Sequence, residues 1–452
     1  MTGDSQFAPV SIWVDRPSDL CPPPDHDIDA EIAIIGGGYT GLSAALRLRE
    51  LGHDVVLLEQ EFCGFGASGR NAGHLTPTIG KDIFSCIKLY GEKRGLDLIR
   101  FGEDAVAFAE RTIAERNIAC DYRASGNIIA GVHPDQRAIL ANSAELAARH
   151  GLHADFLDEA EMRARSLPSA FLFGIHETGG GHLHPGKYVM GLRRAALDAG
   201  VHIHEQTPVD HIEHGQTVVL RSQARRIRAR QVLLATNAFT PVSLDMFRSK
   251  LAPLAVSLFS TPPLSGAQLE RLGWSGREGL YTAHESLESF RLTADNRLLG
   301  GSKYVRYGYG SSLPPADHPE TFARLENMFR ARFPELADVG IENYWSGWIA
   351  LVLDFLPICG TVKGEGNIHY SMGYNGHGIA QASMMGAAMA DRMVGKGSGI
   401  LDILSRRVLP LPPEPFRWLA VQGLLSFLTG KDRRLDRKIA RENVETITET
   451  EA

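Results

Sequence analysis

The sequence predicts an α/β protein of two or three domains, the first of them built on a parallel βαβ unit of the Rossmann type. That expectation rests on three features. From Ile32 to Gln60 the chain passes from an apolar strand through a glycine turn and a helical run to a second apolar strand. A second strand, glycine turn and helix, IHYSMGYNGHGIAQASMMGAAMADRM, follows from Ile368. At 452 residues the chain also exceeds what one small core organises, with about one domain per 100 to 200 residues as the usual scale.

Composition narrows the class. Hydrophobic residues make up 44% and charged residues 22%, the balance of an ordinary globular protein. The formal charge is -6 and the basic residues are scattered, so no nucleic-acid footprint and no nucleic-acid partner are expected. Cys21, Cys63, Cys86, Cys120 and Cys359 are odd in number and form no C-x-x-C pair, which argues against a disulfide framework and a zinc site. The polar, acidic, proline-containing start does not resemble a secretory signal, and no apolar run approaches the roughly 18 residues of a spanning helix. A cytoplasmic protein in a reducing compartment is expected.

Taken in order, CPPPDHD from Cys21 to Asp27 cannot begin a helix or a central strand, because proline removes donors and fixes φ. It reads as an arm or linker. Strands are expected at Ile32 to Ile35 and Val55 to Leu58, joined by a helix carrying Leu42, Ala45, Leu46 and Leu48, with Gly52 as its terminating glycine. Helices are expected over Leu96 to Arg116 and Pro134 to His150, flanking a strand at Gly126 to Val132. A further helix starts at Pro185, a residue suited to a first turn, and leads to a strand in VHIHEQTPV. His182 and His184 before it read as packing and capping rather than as a metal pair. Gln231 to Leu234 reads as a strand that ends in ATNAFTP, and Val256 to Tyr304 as strand-rich with a turn at Ala294-Asp295-Asn296.

Gly36, Gly38 and Gly41 form G-x-G-x-x-G between strand and helix. The first permits the sharp turn, the second lets backbone approach a pyrophosphate, and the third lets helix and strand pack closely. The helix start then offers free N–H groups and partial positive charge to phosphates. Glu59 ends the second strand 18 residues after Gly41, where a carboxylate accepts from ribose hydroxyls and repels a 2'-phosphate. NADP is disfavoured, and FAD and NAD remain open at this point. Directly afterwards CGFGASGRNAGHLTP, Cys63 to Pro77, can lie flat against a planar ligand and donate backbone N–H groups to it.

IIGGGYTGLSAA, GASGRNAGH, ATNAFTP and GYNGHGI, in that order, resemble the FAD-dependent amino-acid and amine oxidase family that includes D-amino-acid, glycine, sarcosine and gamma-glutamylputrescine oxidases. The resemblance runs from about Ile32 to Val394 and is strongest to the gamma-glutamylputrescine oxidase branch. It implies an α/β FAD-binding Rossmann-like domain interleaved with an α+β substrate domain built on an antiparallel sheet. Residues 29-85, 155-245 and 346-405 would form the FAD domain and 86-154 with 246-345 the substrate domain, with an arm at 1-28 and a helical tail at 406-452. The resemblance places Gly36, Gly38, Thr40 and Gly41 at the pyrophosphate and Glu59 and Gln60 at the adenosine ribose. Ala67, Ser68, Arg70, Asn71, Gly73 and His74 would line the pyrophosphate and flavin ring, and Val209 would meet the adenine. Thr236 and Asn237 would pass near the cofactor, and Gly376, His377, Gly378 and Ile379 would meet the pyrimidine end of the flavin. A helix starting near Gly378 would then stabilise negative charge on the reduced ring.

Two departures refine the expectation. Relatives that oxidise amino acids carry an arginine in a W-x-G-x-R-P-type stretch to clamp the carboxylate. Here the stretch is Trp345-Ser346-Gly347-Trp348-Ile349-Ala350, with isoleucine at that point, which moves the substrate toward an amine. No cysteine lies between Cys120 and Cys359, so FAD is expected to be noncovalent. The expected reaction is oxidation of a C–N bond of a small amine or amino-acid derivative to an imine by hydride transfer to flavin, with oxygen or another acceptor taking the electrons. His74 is a candidate to contact substrate, Lys303 to activate oxygen, and Trp345 with Trp348 to frame an ammonium. The alternatives are a D-amino or imino-acid dehydrogenase serving a quinone or carrier, and a non-redox nucleotide-binding protein. Residues 416-438 read as a helix docked on the body, with an interfacial membrane contact as the other reading.

Overall fold

The strand Ile28–Ile35 takes the centre of a sheet because both of its faces are apolar, with Ala33 and Ile34 fully buried on opposite sides. In this computed structural model, residues 5-450 are described apart from 224, 241-246, 248 and 398, with backbone alone for 442-450. The order across the sheet is His211–Glu213, Val218–Ser222, Arg225–Leu234, Ile28–Ile35, Val55–Leu58 and His202–His204. The C-terminal half of Arg225–Leu234 also pairs in parallel with Ile368–Met372, so the second glycine turn is delivered to the same end of the sheet as the first. The helices that follow the two turns, Tyr39–Glu50 and Gly378–Met393, pack directly on each other. A Cβ on Gly386 would stand 2.3 Å from the Thr40 carbonyl oxygen.

The second sheet is largely antiparallel. Its order is Gln6–Phe7, Asn343–Leu351, Ala252–Pro263, Arg297–Gly301, Ser289–Leu292, Gly279–Thr282, Asn127–Gly131, Phe173–Glu177 and Ala154–Leu157. Arg306–Tyr307 pairs with Ala252–Pro263 off this path. The first sheet rests on an aliphatic core around Leu42, Leu57 and Met385, whereas the second covers an aromatic core around Trp274, Phe290, Phe329 and Phe333. Two interleaved domains, one of them on an antiparallel sheet, are therefore present.

Strand pairing moves the expected division at two points. Ala154–Leu157 and Phe173–Glu177 pair with Asn127–Gly131, so the segment after 154 begins in the substrate sheet rather than in the cofactor domain. Asn343–Leu351 pairs with Ala252–Pro263 along its whole length, so that sheet extends past 346. The N-terminal arm also takes part in the fold: Gln6–Phe7 pairs in parallel with Asn343 and Tyr344, and Trp13 and Val14 are buried in the first core. His184 caps the helix Pro185–Asp198 by accepting from Lys187 N–H, and His182 meets the Arg277 carbonyl. The chain ends in one long helix, Phe416–Thr450, and no helix among the described residues is long and apolar enough to cross a membrane.

Candidate cofactor and substrate site

Gly36 has φ +111°, and a Cβ there would stand 2.7 Å from the Ala235 carbonyl oxygen. A Cβ on Gly41 would stand 1.9 Å from the Gly36 carbonyl oxygen, and one on Gly38 would stand 2.9 Å from Ser68 Oγ. Only glycine allows the turn, the helix and the following loop to converge this closely. Gly38 caps Tyr39–Glu50 without a side-chain oxygen, which leaves the positive end of that helix available to an anion. The Glu59 carboxylate accepts from Gly37 N–H at 2.7 Å and Glu61 N–H at 3.1 Å. Burial nevertheless pushes its pKa up to about 7.

The loop after the second strand forms a short helical turn, Ala67–Gly69, and then Arg70. Arg70 Nε donates to the Phe65 carbonyl, and one terminal amino group donates to the carbonyls of Pro9, Val10 and Ser346. Its guanidinium also lies over Phe65 and Trp348, at 4.7 and 5.0 Å from the ring centroids. Arg70 is thus a cation held by carbonyls in the cavity lining, and burial lowers its pKa to about 10. Asn71 locks the loop, donating to the Ala67 and Ser68 carbonyls while its Oδ1 accepts from Gly73 N–H.

The second glycine turn approaches from the opposite side. Asn375 and Gly376 both have positive φ, +53° and +93°, and His377 precedes a helix of 16 residues that has no side-chain cap. The His377 Nδ1 atom is buried without a partner, and burial lowers the ring's pKa to about 4, so the imidazole is neutral. Gly80 must be glycine beneath it, since a Cβ would stand 2.6 Å from the ring. Asn237 joins this turn to the end of Arg225–Leu234 by accepting from Gly373 N–H.

These elements enclose one elongated cavity of about 640 Å³, within the range of about 300–1,000 Å³ common for ligand sites. The glycine cradles and the unpartnered imidazole nitrogens fit a long dinucleotide with a planar ring. Every residue expected at the cofactor lines this cavity except Gly41, which lies behind Gly36 and sets the distance between helix and strand.

Of the catalytic candidates, His74 lines the cavity. Its ring packs against Tyr281 at 4.6 Å, its Nδ1 lies 3.4 Å from Asn127 Oδ1, and its Nε2 is buried without a partner. Burial holds its pKa well below the usual histidine range. Trp345 is fully buried behind the loop, where its indole N–H donates to the Arg70 carbonyl. It supports the cradle and does not face a substrate; Trp348 lines the cavity instead. Lys303 lies outside the cavity lining, its Nζ 2.6 Å from Glu288 and 2.9 Å from Asp436, in a cluster that also holds Arg332 and His284. Those two carboxylates account for its charge.

Sequence reasoning missed Glu177, Tyr281 and Ile129, which line the cavity with His74. Glu177 ends the strand Phe173–Glu177, and among the described residues no cation pairs with it. Burial, with Glu103 as a second cause, pushes its pKa up to about 7. Tyr281 is held well above its usual range, first by burial and then by Glu177. Nothing local distinguishes this glutamate from any solvated strand end. Leu424, Leu425 and Leu428 of the C-terminal helix also reach the cavity.

A family model described as DAO, FAD dependent oxidoreductase, matches residues 31–392. Gamma-glutamylputrescine oxidoreductase of Escherichia coli (strain K12) is 33% identical over 379 residues, covering 82% of this chain and 85% of that protein. A probable oxidoreductase, OrdL, of Rhizobium meliloti (strain 1021) is 30% identical over 446 residues, covering 96% of this chain and 100% of that protein. Among solved structures, glycine oxidase from Geobacillus kaustophilus superposes with a TM-score of 0.71 at 19% identity, over 82% of this chain and 96% of that one. At that identity the superposition establishes the fold.

Proposed function

Because the chain belongs to the DAO family of FAD-dependent oxidoreductases, we propose that it oxidises the C–N bond of a small cationic amine to an imine, with oxygen as the acceptor. FAD supplies the hydride-accepting centre. The observation that carries the reading is Glu177, a carboxylate that lines the cavity with no cation paired to it among the described residues, in a cavity that Ile349 also lines where related sequences carry a carboxylate-binding arginine. A buried carboxylate attracts a cationic nitrogen, and a pKa near 7 suits it to take the ammonium proton. The carbon can then release hydride as the C=N bond forms, and the imine hydrolyses in water. Neutral His74 presents its free Nε2 to the same nitrogen, and Ile129, Leu258 and Ile349 keep water from the reacting bond. The similarity to gamma-glutamylputrescine oxidoreductase agrees with an amine at the end of an aliphatic chain.

Anaerobic mixing of the holoenzyme with aliphatic amines and acylated diamines is expected to bleach the flavin absorbance, and readmitted air to restore it with release of peroxide. Bleaching by α-amino acids alone would overturn the amine assignment. Flavin that stays reduced in air would overturn oxygen as the acceptor.

Glu59 makes cofactor binding depend on pH. Below a pKa of about 7 the free protein carries a proton that must leave before the carboxylate can accept from ribose hydroxyls. FAD affinity is therefore expected to fall as pH drops below about 7, by up to about tenfold per unit, and to be flat above it. Fluorescence titration of the apoprotein checks this, and Glu59→Gln should abolish the slope while weakening binding throughout.

A further inference from the structure

The C-terminal helix Phe416–Thr450 has two unlike faces. Its inner face is committed: Val421 packs with Leu254 and Leu351, Leu435 and Ile439 pack on the aromatic core, and Asp432 accepts from the N–H groups of Glu285 and Ser286. The outer face is not. Phe416, Leu419 and Phe427 follow one another at helical spacing and are 63%, 56% and 60% exposed. At 100° per residue the same stripe continues through Lys431, Arg434, Arg437, Lys438 and Arg441, all exposed. Lys431 pairs with Glu285 and Lys438 with Asp135, whereas no ion pair joins Arg434 or Arg437 among the described residues.

We propose that this outer face docks on an anionic lipid bilayer, its apolar half seated among the acyl chains and its basic half against the headgroups. A cluster of arginines and lysines is drawn to an anionic lipid surface, and the phenylalanines and leucine that precede it on the same stripe add apolar area to bury there. Large apolar side chains this exposed otherwise mark a docking site whose partner is apolar as well. A second copy of the chain fits poorly. Parallel pairing of two such helices would set arginines against arginines, and antiparallel pairing would lay each basic half over the other's apolar half. The helix lies along one wall of the cavity, because Leu424, Leu425 and Leu428 line it, so docking brings that wall of the active site to the membrane surface.

Sedimentation of the holoenzyme with vesicles tests this. Binding is expected to vesicles of phosphatidylcholine mixed with phosphatidylglycerol, to weaken with added salt, and to be about tenfold or more weaker on phosphatidylcholine alone. Phe427→Asp and the pair Arg434→Glu with Arg437→Glu should each abolish binding while leaving flavin content unchanged. The proposal is overturned if the wild-type protein stays in the supernatant with anionic vesicles at low salt, or if the variants bind as well as it does. It is also overturned if light scattering shows a dimer that Phe427→Asp splits into monomers.

Discussion

Gly41→Ala is expected to give a protein purified without colour, its affinity for FAD lowered by about a hundredfold or more. In an ordinary helix this substitution is favourable by about 0.8–1.0 kcal/mol, because alanine restricts the unfolded chain and glycine does not. Here the new Cβ would stand 1.9 Å from the Gly36 carbonyl oxygen, and that neighbour is backbone in the turn facing the cofactor. It can yield only if the turn opens or the helix Tyr39–Glu50 moves away from the sheet. Either movement separates the leading N–H groups from the phosphates. Gly423→Ala is the control: it too is helical, nothing lies within 4 Å of its added Cβ, and it should retain full flavin absorbance. Equal flavin content in the two variants would show that the close approach is not needed for binding.

Glu177→Gln is expected to lower kcat/KM for amines by roughly 150- to 4,000-fold with the flavin spectrum and FAD content unchanged. The scale follows from the loss of about 3–5 kcal/mol when one partner of a buried ion pair is removed. Glu177→Asp should fall between the two, since it keeps the charge and withdraws it slightly. For the wild-type enzyme kcat/KM should rise with pH through about 7, because below that value Glu177 is the neutral acid and can neither attract an ammonium nor take its proton. That limb should vanish in Glu177→Gln. A loss of less than about threefold, with the limb intact, would remove Glu177 from the chemistry.

Legibility in the sequence followed the range of the interactions. The βαβ unit was readable because each requirement is local: Ile32 to Ile35 is apolar on both faces, Gly36 needs positive φ, and Val55 to Leu58 returns within one helix length. The cofactor cradles were readable for the same reason, and the resemblance set them in order. The substrate pocket was not, because Glu177, Tyr281 and Ile349 come from three strands joined only by sheet pairing. Lys303 shows the same limit from the other side. Whether a lysine stands free or is neutralised depends on partners far along the chain, here Glu288 and Asp436. The pairing of Ala154–Leu157 with Phe173–Glu177 was not legible either, because the first is four residues with no clean alternation and the pairing is not visible in either strand alone.

The arm before Cys21 ties its backbone to the flavin cradle: the Pro9 and Val10 carbonyls receive the Arg70 guanidinium, and Gln6 and Phe7 extend a sheet. Because Arg70 meets only the carbonyls of Pro9 and Val10, drift in those two side chains should be tolerated among descendants of this gene, whereas Ser11 and Trp13 are tied by their side chains, which donate to the Gly69 and Asn71 carbonyls. A gain or loss of one residue between the strand and Val10 should not be tolerated, because it would slide the acceptors off the guanidinium. Natural selection is therefore directed at spacing as far as Val10 and at letters from Ser11 to Val14.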